Sequence, residues 1–286
     1  MLESAVMEFG VAASPALDAV GRWPVGVGAV GVTSPSATLA GTGPLDRPLP
    51  LASVTKLLTA MAVLVAVEEE TVRLDEPAGP EGSTVEHLLS HASGLGLDGE
   101  RLAAPGRRRI YSNAGFALLG ELVAARAGMP FRRYATEAVL EPLRMQHTAA
   151  AGHPAWGAVG TAGDLLALGR ELLLPGRVLS PAMTARATRV AFPGLDGVLP
   201  GFGRQRPNDW GLGFELRDGK APHWTGRRNS ARTFGHFGRS GTFLWVDPDA
   251  GLACACVTDR DFGPWAAEAW PALSDAVIGS FGGGDS

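Results

Sequence analysis

The chain is short of residue types that usually fill unspecialised roles. It has two cysteines, two tyrosines and only two lysines, Lys56 and Lys220; every other basic residue is arginine. The cysteines, Cys254 and Cys256, stand two apart in "LACACVTD". On a strand they share one face and pack as small apolar groups, so neither a disulfide framework nor a thiolate metal site is read from them. Surplus positive charge is also absent. The net charge of −4 gives no general attraction to nucleic acid or to an anionic membrane surface. The longest apolar run, Leu57 to Val67 with Thr59 counted in, falls far short of the ~20 residues that span a bilayer. The opening "MLESAVMEFGVAAS" carries Glu3 and Glu8 and lacks both a basic and an apolar region, so no secretory signal is read and a cytoplasmic location is expected. A G-x-S-x-G elbow is missing as well, which argues against an α/β-hydrolase.

What is present starts with "LASVTKLLTAMAVLVAV", residues 51–67, where Lys56 is the one charge in a helix without a polar face. An unpaired ammonium buried there costs several kcal/mol or loses its proton. Arginine cannot be deprotonated in a protein, whereas a desolvated lysine can. A lysine kept at this position, in a chain that otherwise uses arginine, points to a proton that matters. Ser53 lies three residues earlier on the same helical face, so Ser53-Val-Thr-Lys56 forms S-x-x-K. One helical turn brings the hydroxyl within reach of the amine.

Two further groups carry chemistry. Tyr111-Ser112-Asn113 sets a phenol and an amide at a loop-to-helix junction, where a phenol beside a cation can take and return a proton. In "GHFGRSGTFLWVDPDAG", His236-Phe237-Gly238 leads into a strand, with glycines where substrate can lie against backbone. The Arg239 N–H there can join the Ser53 N–H as an oxyanion donor. His87 and His91 form H-x-x-x-H, but the helix lacks the glutamate of H-E-x-x-H and no third ligand is evident, so zinc is set aside.

Along the chain, "VGVGAVGV" (25–32) and "SATLAGTG" (36–43) read as a hairpin, as do "TFLWVD" (242–247) and "LACACVTD" (252–259). Residues 54–70, 84–92, 113–128 and 161–173 read as helices, and the tail from 263 reads as a helix bent at Pro271. The expected fold class is α/β (α+β): an antiparallel sheet built from both chain ends, flanked by helices, with an all-helical domain inserted. The sheet domain is placed at 1–50 and 206–286, the helical domain at 51–205, and the active site in the groove between them.

With these motifs in order, the chain resembles the serine β-lactamase and penicillin-binding superfamily, in its class C β-lactamase-related branch, which also holds family VIII carboxylesterases. "TVEHLLSHASGL", "YSNAGFALLGELV", "GTAGDLLALGRELL" and "GHFGRSGTFLWVDPDAGLACACVTDRD" each look like a family segment, and the likeness runs from about residue 25 to 260. The resemblance implies a serine hydrolase working through an acyl-enzyme without a cofactor. Ser53, Lys56 and Tyr111 would be catalytic, and Asn113, His236, Gly238 and Arg239 would bind substrate.

The sequence departs from the family pattern in one place. Lactamases and peptidases carry Lys-Thr-Gly where this chain has His236-Phe237-Gly238. A histidine is mostly neutral at pH 7 and phenylalanine donates nothing, so a small ester or amide is the expected partner, with no role for nucleic acid or membrane. β-Lactamase or D,D-peptidase activity is the alternative, and a non-catalytic binding relative is the second.

Overall fold

The two ends of the chain meet in one sheet. In the computed structural model, which describes residues 12–283, its strands are β1 (Gly28–Thr33), β2 (Thr38–Thr42), β3 (Glu215–Leu216), β4 (Phe234–Gly238), β5 (Thr242–Asp247) and β6 (Leu252–Thr258). They lie in the order β2-β1-β6-β5-β4-β3, every pair antiparallel, with Gly28 opposite Thr258 where the two ends join. The reading of residues 1–11 as lacking a secretory signal lies outside the described residues.

Helices cover both faces, which is why β4, β5 and β6 read as continuous apolar runs without polar alternation. The principal helices are α1 (Thr55–Glu68), α2 (Asn113–Ala127), α3 (Ala162–Leu173) and α4 (Pro264–Phe281). Period-two alternation sorts the side chains of β6. Ala253, Ala255 and Val257 join the larger core with α1 and α3, while Leu252, Cys254 and Cys256 join Trp245, Trp270 and Val277 on the α4 side. Both cysteines are buried free thiols, in keeping with a packing role. Small residues let α3 settle on the sheet: a Cβ at Gly169 would lie 2.8 Å from that of Ala253.

The structure differs from the sequence reading in three elements. Residues 84–92 form helix only at Val85–Leu89, because His91 turns into the left-handed region at φ 56°. The His236-Phe237-Gly238 segment is itself strand β4, not a turn leading into one, and a short hairpin pairs Gly197–Leu199 with Gly203–Gln205. The tail helix α4 runs on through Pro271. Among the described residues no helix is long and apolar enough to cross a membrane.

Candidate active site

The chain enters α1 through a tight turn. Ala52 takes φ 44°, and Ala52–Val54 form a single 3₁₀ turn before the α-helix starts at Thr55. Ser53 is partly exposed there, and its N–H lies in the first helical turn, where no intrahelical acceptor exists. One turn on, Lys56 is fully buried in a helix that is apolar all round.

The Lys56 amine has three neighbours. Nζ donates to Asn113 Oδ1 at 2.8 Å and to the Ala155 carbonyl at 2.9 Å, and lies 3.4 Å from Ser53 Oγ. Among the described residues no carboxylate pairs with it, and burial holds its pKa well below that of a free lysine. Two rivets on α1 fix the loop that presents the Ala155 carbonyl. Thr59 Oγ1 donates to the Pro154 carbonyl at 2.6 Å, and Thr55 Oγ1 accepts from Ala158 N at 3.0 Å.

Tyr111 donates its hydroxyl hydrogen to Ser53 Oγ at 2.8 Å, and burial raises the phenol's pKa well above its usual value. Its position is set by His91, which brackets it along the chain. The His91 carbonyl accepts from Ile110 N at 2.9 Å, and its Nδ1 accepts from Ser112 N at 3.1 Å. The imidazole also packs on the phenol, with ring centroids 4.6 Å apart. Ser112 caps α2 by accepting from Gly115 N at 3.0 Å. The capping role thus falls to Ser112, which leaves the Asn113 amide to hold Lys56.

Strand β4 closes the other side. His236 Nε2 lies 3.5 Å from the Tyr111 hydroxyl, and Nδ1 lies 2.7 Å from the Phe237 carbonyl, which assigns the ring proton to Nδ1. Burial, reinforced by the nearby Lys56, pushes the His236 pKa down to about 3. At Gly238 a Cβ would sit 2.5 Å from the Leu51 carbonyl, so only glycine lets β4 approach the turn that carries Ser53. Arg239 follows directly and lines the cleft.

All seven sequence-selected residues except Lys56 and Gly238 line one cleft of about 420 Å³; those two support it from beneath. The rest of its wall was not picked out residue by residue. Leu199, Pro200, Trp210 and Glu215 come from the irregular 191–233 segment, Leu97 from the loop before Tyr111, and Phe262 from beyond β6. Glu215 belongs to a buried cluster: it pairs with Lys220 and accepts from His223 Nε2 and Trp224 Nε1, each at 2.9 Å. Burial pushes the Glu215 carboxyl up, but Lys220 and His223 outweigh it and hold its pKa at about 2.

Among the arginines near the third motif, Arg232 pairs with Asp249 at 2.7 Å and Arg239 reaches Asp261 at 3.6 Å. His87 and His91 do not converge, since His87 Nδ1 lies 2.8 Å from Thr84 Oγ1 while its ring stacks on Phe192.

This arrangement can be set beside known proteins. A solved β-lactamase from Mycobacterium bovis is 56% identical, with a TM-score of 0.91 over 93% of this chain and 99% of that one. Two enzymes share the fold at lower identity. EstCE1, described as a hydrolase with promiscuous acyltransferase activity, is 18% identical with a TM-score of 0.74, over 92% of this chain and 96% of that one. Simvastatin synthase LovD of Aspergillus terreus is 17% identical with a TM-score of 0.78, over 93% of this chain and 96% of that one. The D-alanyl-D-alanine carboxypeptidase/endopeptidase AmpH of Escherichia coli K12 is 26% identical over 142 residues, which span 36% of this chain and 37% of that protein. The β-lactamase family profile matches residues 10–277, and the chain belongs to the β-lactamase family.

Proposed function

We propose that this chain is a serine hydrolase that cleaves a small ester or amide through an acyl-enzyme on Ser53. One observation carries the reading: the arrangement around Lys56 Nζ. A neutral amine has two hydrogens and one lone pair. The carbonyl oxygens of Asn113 and Ala155 accept the two hydrogens, so the lone pair faces Ser53 Oγ. Burial holds the Lys56 pKa well below that of a free lysine, which favours the neutral amine that can take the Ser53 proton.

In the first half-reaction Ser53 Oγ attacks the acyl carbon and its proton passes to Lys56. The negative charge on the carbonyl oxygen is met by the N–H groups of Ser53 and Arg239. The bond to the leaving group then breaks, and the Tyr111 hydroxyl and the Lys56 ammonium are the two sources of its proton. In the second half-reaction water attacks the acyl carbon, gives its proton to the same pair, and Ser53 leaves as the restored hydroxyl. Asn113 positions the acyl group, and none of these steps calls for a cofactor.

The third motif supports esters over β-lactams. His236, with its pKa pushed down to about 3, is neutral at physiological pH, and Phe237 is buried among Phe262, Trp224 and Trp270. The groove offers no fixed cation and no hydroxyl at these positions for a substrate carboxylate. The likeness to the M. bovis β-lactamase favours the second reading, β-lactam hydrolysis. A side-by-side assay separates the two. p-Nitrophenyl butyrate should give a burst and add mass at Ser53, both lost in Ser53→Ala, while nitrocefin turns over far more slowly. Efficient nitrocefin hydrolysis with idle esters would establish the second reading, and no adduct from either would leave a non-catalytic relative.

A further inference from the structure

Apolar side chains in water are usually scattered, but here they gather beside the cleft. Leu97, Leu102 and Val198 leave 45%, 58% and 56% of their surfaces exposed and account for three of the seven large exposed apolar residues among those described. All three line a groove of about 320 Å³ together with Ile110, Tyr111 and Pro200. Leu97, Tyr111 and Pro200 also line the catalytic cleft, so the two form one continuous trough leading away from Ser53. The strip gives an aliphatic chain apolar surface on which to leave water.

The trough is a built feature. One wall is the loop before Tyr111, the other is the hairpin of Gly197–Leu199 and Gly203–Gln205. Arg109 ties them together: its N–H donates to the Asp196 carbonyl at 2.9 Å. Its guanidinium donates to the carbonyls of Asn208 (3.0 Å), Ser90 (2.6 Å), Ala191 (2.7 Å) and Phe192 (3.1 Å). That charge is spent inside the wall and offers nothing to the groove. Arg108, also in the lining, is exposed and can keep its head in water.

We propose that this groove holds the aliphatic chain of the substrate, which makes the preferred ester one with a medium-length alkyl chain reaching past Tyr111 onto Leu97, Leu102 and Val198. The proposal rests on the hydrolase reading above. Two series test it: p-nitrophenyl alkanoates from acetate to decanoate place the chain on the acyl side, and alkyl acetates of matching length place it on the alcohol side. In one series kcat/KM should climb by roughly two- to fourfold per added methylene until the groove is filled. In Leu102→Asp and Val198→Asp the ratio of octanoate to acetate turnover (or of octyl to ethyl acetate) should fall about tenfold. Because the ratio is taken within one preparation, it is insensitive to how much of a variant folds.

Flat or falling responses in both series, with the shortest ester still turned over and Ser53 labelled, would overturn the groove proposal alone. Unchanged ratios in both variants would do the same. No turnover of any ester and no label on Ser53 would overturn the hydrolase reading along with it.

Discussion

Two buried lysines show how the same residue type serves opposite purposes. Lys220 is surrounded by Glu215 and the carbonyls of Asp209 and Leu216, so every hydrogen of an ammonium has an acceptor. Lys56 has two carbonyl acceptors, a serine hydroxyl and, among the described residues, no carboxylate, a setting that favours the uncharged amine. Lys56→Arg keeps a charge but cannot exchange the proton, and turnover of a nitrophenyl ester should drop by ~10²–10⁴. A second measurement uses stability. The folded pKa of Lys56 is depressed, so between ~10.4 and that lower value the unfolded chain binds a proton that the folded chain does not. Stability therefore declines as pH falls through this window. In Lys56→Met that contribution vanishes, so the Tm difference between variant and parent should shift in the variant's favour from pH 10 to pH 7; a constant difference would show that Lys56 is not depressed. Lys56 was legible in the sequence because it is the one charge among apolar residues and small hydroxyls. Glu215 and Lys220 were not, because they lie in an irregular segment without periodicity to assign their faces.

At the scale of elements, the turn into α1 and strand β4 must touch for the site to exist. Gly238 makes that contact possible: a Cβ there would press on the Leu51 carbonyl and on Thr242 Oγ1, both at 2.5 Å. Gly238→Ala should push β4 off the Ser53 turn and lower kcat by on the order of 10²-fold. Gly219→Ala, where none of the described residues lies within 4 Å, serves as the control and should leave kcat unchanged. Equal kcat in the two variants would show that the close approach is dispensable. This same glycine hid the strand. Gly235 and Gly238 lower strand propensity, so the segment reads as a turn, although close backbone approach is a known reason for glycine inside a strand. The helix at 84–92 was overread for a related reason, since its amphipathic pattern continues past Leu89 while the His91 backbone turns left-handed. By contrast β1, β5, β6 and α1 to α4 were legible to within a few residues, because their apolar runs are long and bounded by turn residues.

For the whole molecule, the buried imidazoles set the response to acid. His236 has a folded pKa of about 3 against ~6.5 unfolded, and burial holds His91 well below its usual value too. Both are depressed, so the unfolded chain takes up protons that the folded chain refuses, and stability present above ~6.5 is lost as pH falls toward those folded values. His236→Gln should flatten the fall in Tm between pH 6.5 and 4.5, a window above the acid titration of Glu215, held at about 2. A parallel decline in parent and variant would remove His236 from this account.

That a sheet is formed from both ends was legible from strand patterns alone; how the middle lines the cleft was not, because it depends on long-range contacts such as those of Arg109. The pairing of Gly28 with Thr258 also has a consequence for biosynthesis. Strand β1, at Gly28–Thr33, is made long before its partner β6, at Leu252–Thr258. At ~5–20 residues per second the nascent amino-terminal hairpin waits on the order of ten to forty seconds with one edge unpaired. The turn that carries Ser53 and Lys56 is likewise made well before His236 and Arg239, so the cleft takes shape only after strand β4 has been synthesised.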